Sequence, residues 1–126
     1  MKRIWMRWAH ALLAPFLAQG ETLVMAVPGM DPKGIGSAGG QLFGALRGHV
    51  RSYVLGITAH RVVLLERNPF SLRTVRLVMD EPRDHVVANA SRRELALISS
   101  ERVFRFESTR WRSEYREVEG LLGNGR

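Results

Sequence analysis

Trp111, Tyr115, Val118 and Leu122 stand at i, i+4, i+7 and i+11, a spacing that collects them into one apolar stripe on a helix. Arg112, Glu114, Arg116 and Glu117 fall off that stripe. Ser108 or Thr109 is placed to cap the start and Gly123 to stop the end, so the pattern predicts a helix running to about Leu122. Such a helix must lie across apolar surface that other elements supply. Before it comes a string of short β-rich runs at 22–27, 49–57, 61–66, 73–79, 85–88, 94–98 and 102–106. Pro28-Gly29, Thr58-Ala59-His60, Asn68-Pro69, Asp80-Glu81-Pro82, Asn89-Ala90-Ser91 and Ser99-Ser100-Glu101 punctuate them as turns. Alternation puts Val75, Leu77 and Met79 on one face and Arg76, Val78 and Asp80 on the other. Phe104 and Phe106 oppose Arg105, and Leu95 is in phase with Leu97. One buried face and one wet face is the antiparallel habit. The expectation is therefore a mainly β domain: a seven-stranded antiparallel sheet curled into a half-barrel, its opening closed by the last helix.

The first residues follow a different period. Over 3–18, Arg3, Arg7, His10 and Ala14 share a narrow helical stripe, while Trp5, Trp8, Leu12, Leu13, Phe16 and Leu17 fill most of the remaining circumference. Pro15 bends or ends this helix and Gly20 stops it. Tryptophans beside cations on a broad apolar face suit a helix lying in a bilayer interface, with Lys2, Arg3, Trp5, Arg7 and Trp8 as contacts for an anionic membrane or a partner. The same face could equally pack on the domain or on a second copy. A basic front, an apolar 11–18 and Ala18-Gln19-Gly20 also sketch a secretory signal, against which stand the short apolar run, Pro15 and the two tryptophans. The organisation expected is a basic amphipathic helix at 1–19, a domain at 20–122 with a glycine-rich inter-strand loop at 28–48, and a tail at 123–126.

With 126 residues there is room for one core. The absence of cysteine removes disulfides, thiolate catalysis and cysteine zinc sites, and fits a cytoplasmic setting. The net charge of +7 invites nucleic acid or an anionic surface. Its distribution tempers that: only residues 1–20 are uniformly basic, whereas 61–126 carry thirteen basic against ten acidic groups.

Seven strands followed by one amphipathic helix resembles the order of elements in pleckstrin-homology-like (PH-like) domains. More closely, the chain resembles bacterial PH-like proteins, in which a Gly-Glu pair opens the first strand and a Thr-x-x-Arg turn with apolar residues behind it joins two central strands. Those proteins close with a helix carrying a tryptophan near its start. Here the matching positions are Gly20 and Glu21, then Thr58 and Arg61 followed by Val62, Val63, Leu64 and Leu65, and then Trp111. The resemblance spans roughly residues 20–122. It implies a non-catalytic binding or scaffolding module, without cofactor, that contacts a protein partner or an anionic membrane surface, and it leaves a homo-oligomer open. Phosphoinositide-binding PH domains carry a Lys-x(n)-Lys/Arg-x-Arg signature. Lys33, Arg47 and Arg51 occupy that region, but the x-spaced pair is missing.

Other patterns dissolve on inspection. Gly34-Ile35-Gly36-Ser37-Ala38-Gly39 spells a dinucleotide fingerprint, yet residues 28–33 separate it from the strand and no acid follows until Glu66. Gly36, Gly40, Gly44 and Gly48 recur every four residues, a helix-packing pattern in a stretch too short to span a membrane. His10, His49, His60 and His85 lack metal-ligand spacing. Asp80, Glu81, Asp84 and His85 gather around Pro82, which reads as a solvated turn rather than acid–base machinery. No nucleophile stands near an evident base, so no enzyme is expected. Arg102, Phe104, Arg105 and Phe106 are the nearest approach to a nucleic-acid-stacking strand, the alternative reading.

Overall fold

A computed structural model describes residues 2–30, 52–68, 71–100, 102–108 and 110–123. Helix α1 (Lys2–Leu13) leads through a 3-10 turn (Ala14–Phe16) into β1 (Leu23–Met30), β2 (Ser52–Thr58), β3 (Arg61–Asn68) and β4 (Ser71–Pro82). A second 3-10 turn (Arg83–His85) leads to β5 (Val87–Ala90), β6 (Glu94–Ile98) and β7 (Val103–Glu107), and α2 (Arg112–Leu122) ends the described chain. All pairings are antiparallel, in a four-stranded sheet ordered β1-β2-β3-β4 and a three-stranded sheet ordered β5-β6-β7. The two sheets do not close into a barrel.

The stripe on α2 does what its spacing demands. Trp111, Tyr115, Val118 and Leu122 are all buried, in one cluster with Tyr53, Leu55 and Ile57 of β2, Val62 and Leu64 of β3, Leu95 and Leu97 of β6, and Phe106 of β7. Neither Ser108 nor Thr109 caps this helix: the N-cap is Trp111, with no side-chain cap, and Thr109 lies outside the described residues. The Ser108 N–H instead donates to the carbonyl of Arg93.

The central strands depart from the expected pattern of one wet face. In β2 every residue from Tyr53 to Thr58 is buried. Odd positions face the inter-sheet core; Val54 and Gly56 face a second layer, built from Ala9 and Leu13 of α1 with Leu23, Ala26, Val63 and Leu65. α1 lies over the outer face of the four-stranded sheet, and the fold has three layers. Gly56 is where the helix comes closest: a Cβ there would sit 2.8 Å from Leu13 Cδ1.

Several expected boundaries shift. The first helix stops at Leu13, and Pro15 sits in the 3-10 turn, where its fixed φ fits. β1 runs through Pro28-Gly29 rather than ending there, because β1 is an edge strand. Pro28 has no N–H to lose, and its carbonyl accepts a hydrogen bond from the Tyr115 hydroxyl at 2.9 Å. β4 begins before residue 73 and includes Pro82, and β5 and β7 each start later than expected. A bulge at Leu64/Leu65 pairs Leu64 with Met79 but Leu65 with Leu77, so Leu77 leaves the face of Met79 and is 39% exposed. The loop at 28–48 contains the end of β1. Its remainder, with Lys33, Arg47 and the spaced glycines, lies outside the described residues, as do His49 and Arg51 of the strand expected next.

Candidate functional site

The Gly-Glu and Thr-x-x-Arg positions, far apart in the chain, converge on one polar knot. Gly20 takes φ +81°, which an L side chain resists. The turn it permits brings Glu21 N–H to the Ala18 carbonyl and the Glu21 carboxylate back to Ala18 N–H, at 3.0 and 2.9 Å. That carboxylate also accepts from Thr58 Oγ1 at 2.9 Å and from Arg61 through Nε at 3.1 Å and Nη2 at 2.6 Å. Arg61 continues to both oxygens of Asp80 at 2.8 Å and to the Phe16 carbonyl at 2.9 Å. Thr58 Oγ1 in turn accepts from the backbone N–H of His60 and of Arg61, closing the β2–β3 turn. The knot ties the exit of α1 to β1, β3 and β4.

Its electrostatics follow. The Glu21 side chain is 10% exposed. Hydrogen bonds from Arg61, then from the Ala18 N–H, outweigh burial and hold its pKa at about 2 against an ordinary 4.5. Arg61 is pushed upward, chiefly by its hydrogen bond to Glu21. Every strong donor and acceptor in the knot is matched to another of its members. Such a group positions elements; it offers no free base.

The residues proposed from the sequence as membrane or partner contacts divide into two sets. Trp5 packs against both apolar layers, with its ring 6.1 Å from Trp8 and 4.8 Å from Trp111. Trp8 stacks under the Arg67 guanidinium at 4.5 Å, and burial lowers the Arg67 pKa. Lys2 sits 5.1 Å from the Trp111 ring and 2.9 Å from both Glu114 oxygens. Burial alone would raise Glu114, but hydrogen bonds from Lys2, the backbone and Ser113, with the Lys2 charge, bring its pKa below the usual value. Arg3 and Arg7 face outward with His10, beside Ile4, which is 74% exposed.

Sequence reasoning missed how the sheet edges are guarded. On β5 the Ala88 N–H donates to the Gly123 carbonyl at 3.0 Å and the Ala90 N–H to the Glu119 carboxylate at 2.6 Å, so α2 occupies that edge. At β1, Pro28 and Tyr115 do the same. Burial drives the Tyr115 pKa above its ordinary value. Arg83 reaches the Leu121 carbonyl at 3.0 Å, holding the carboxyl end of α2, where a cation is favoured. No local pattern announces these bonds, since each joins residues at least 29 apart.

Among the described residues, two clefts open at the seams between sheets. One, of about 240 Å³, is lined by Pro28, Gly29, Met30, Ser52, Glu107, Ser108 and Trp111. The other, of about 220 Å³, lies between β4 and the β6–β7 turn, among Met79, Asp80, Glu81, Ser99, Arg102 and Phe104. The cluster around Pro82 is dispersed: Asp80 is bound to Arg61, Glu81 shares the inward face of its partner Val62, and Asp84 and His85 are exposed. Among the described residues no group of three His, Asp or Glu side chains could hold a metal, and no helix is long and apolar enough to cross a membrane. Phe106 is buried and Phe104, part-buried, rests on Tyr53 at 6.0 Å, while Arg105 pairs with Glu94 at 2.8 Å. Compared with family models, curated proteins and solved structures, the chain matches none.

Proposed function

We propose that this chain is a non-catalytic, PH-like binding module whose partner is a protein. Four antiparallel strands, then three, then one helix plugging the space between the sheets is the element order that the PH-like reading asks for, and the knot joins its Gly-Glu and Thr-x-x-Arg positions. The observation that carries the choice of a protein partner is the 4.8 Å packing of Trp5 on Trp111. The tryptophans that would anchor α1 in a bilayer serve the interior of the fold, with Arg67 over Trp8, and Lys2 is engaged with Trp111. One observation favours a second reading, contact with an anionic membrane: Ile4 stands exposed between the cations Arg3 and Arg7.

Co-flotation with vesicles of phosphatidylcholine and phosphatidylserine separates the two. The protein-partner reading predicts that the chain stays with the soluble fraction at physiological salt. Flotation that disappears in an R3E/R7E variant of unchanged thermal stability would overturn it in favour of the membrane. Steep salt-dependent retention of random DNA would overturn it in favour of nucleic acid.

A further inference from the structure

α2 blunts the edges of β1 and β5, and β7 runs beside β1, where Phe106 leaves no room for a Cβ at Gly29. The outer edge of β4 is different. It is twelve residues long, ends its sheet, and no described strand pairs with it. Leu77, exposed at 39%, lies along that strand. Beside its last third opens the 220 Å³ cleft, walled on the other side by Ser99, Arg102 and Phe104. Glu81 faces this space from the inner side of β4, cross-strand from the fully buried Val62. Its Oε2 is buried and, alone among buried side-chain polar atoms of the described residues, has no hydrogen-bond partner. A buried carboxylate oxygen without a donor is costly, and in folded proteins such an atom is normally matched.

We propose that β4 accepts an extended segment of a partner polypeptide as a fifth strand, with a lysine or arginine side chain entering the cleft to pair with the Glu81 carboxylate. The inference rests on the protein-partner reading and names its site and the partner's chemistry. Added strands take affinity from main-chain hydrogen bonds and specificity from pockets for alternate side chains. Here the edge supplies the first and the Glu81 cleft the second. The floor of the cleft, Met79 and Phe104, suits the methylene stem of such a side chain, and Glu81 meets its charged end. Leu77 offers apolar surface to a neighbouring residue of the same strand. The Ser99 hydroxyl is spent on its own turn, donating to the Arg102 carbonyl at 3.3 Å and accepting from the Arg102 N–H at 3.2 Å, so it does not compete for Glu81.

The test uses the immobilised full chain and two synthetic mixtures of acetylated seven-residue peptides, randomised at the flanking positions, with lysine or with its uncharged isostere norleucine at the centre. The proposal expects the lysine mixture to be retained at least about tenfold better, the scale of one hydrogen bond from a charged donor. Glu81→Gln should remove that preference while leaving the unfolding midpoint as high or higher, since Oε2 has no hydrogen bond within the fold to lose. Amide shifts on binding should centre on 76–81 and 99–104. Equal retention of both mixtures, a preference that survives in E81Q, or shifts elsewhere would each overturn the proposal, as would a concentration-dependent dimer that hides the β4 edge. No retention at all would overturn it as well. Failure here without vesicle flotation leaves the module reading standing, whereas flotation lost in R3E/R7E removes that reading whatever Glu81 does.

Discussion

Replacing Glu21 with glutamine removes a charge from the polar knot while keeping its shape. In the wild-type protein the carboxylate accepts from Arg61 twice, from Thr58 and from the Ala18 N–H. Those bonds hold its pKa at about 2 instead of 4.5, a difference equivalent to about 3 kcal/mol of stability at neutral pH. Arg61 remains a quarter exposed, and solvent screening brings the expected loss in E21Q to about 2 kcal/mol. The sign follows from the direction of the shift. The folded pKa lies below the unfolded one, so the contribution is complete above about pH 5 and fades as pH falls toward 2. Urea unfolding of both proteins from pH 7 down to pH 2 reads this directly. The gap between them should be about 2 kcal/mol at pH 7 and close to zero at the acid end. A gap below about 0.5 kcal/mol, or one that does not change with pH, would refute the view that this ion pair clamps α1, β1 and the β2–β3 turn together.

Trp5→Ala should cost about 2 kcal/mol in urea unfolding, because it empties the junction of the two apolar layers while leaving the surface stripe intact. Gly56→Ala should destabilise by about 1–3 kcal/mol and loosen α1 before the sheet, as seen in helix-specific proteolysis, because the added methyl meets Leu13. Tyr115→Phe should cost about 1 kcal/mol through the lost bond to Pro28. In the wild type, ultraviolet titration should find Tyr115 still un-ionised well above pH 10, and ionised only as the chain unfolds.

The parts of this fold that could be read from sequence are those whose signal is local and periodic. The stripe from Trp111 to Leu122 announced a buried helix, and the turn residues at 58–60 and 99–101 marked hairpins that fall there. The knot was visible as the positions Gly20, Glu21, Thr58 and Arg61, though its chemistry was not: Asp80 and the Phe16 carbonyl join only when strands pair. The three-layer arrangement was written in Val62-Val63-Leu64-Leu65 and in Tyr53-Val54-Leu55-Gly56-Ile57. Unbroken apolar runs mark strands covered on both faces, and an amphipathic first helix was at hand to cover the second. Alternation alone could not foresee the bulge that turns Leu77 outward, because a bulge depends on the partner strand. Helix caps were misread for a related reason: Ser108 is occupied through its backbone by Arg93, and the burial of Trp111 fixes where α2 begins. Edge protection by Glu119, Tyr115 and Pro28 is long-range and left no trace in any single segment.

The central claim is that α1 is a structural layer of this domain rather than an appendage waiting for a surface. Native-state hydrogen exchange measures it most directly, comparing α1 amides from Met6 to Leu13, past the first unpaired turn, with those of Val62 to Leu65 in β3. A helix that completes the core should open only with the sheet, giving opening free energies within about 1 kcal/mol of those for β3. Exchange of α1 at near-peptide rates while β3 stays protected would contradict the account and return Trp5 and Trp8 to the solvent.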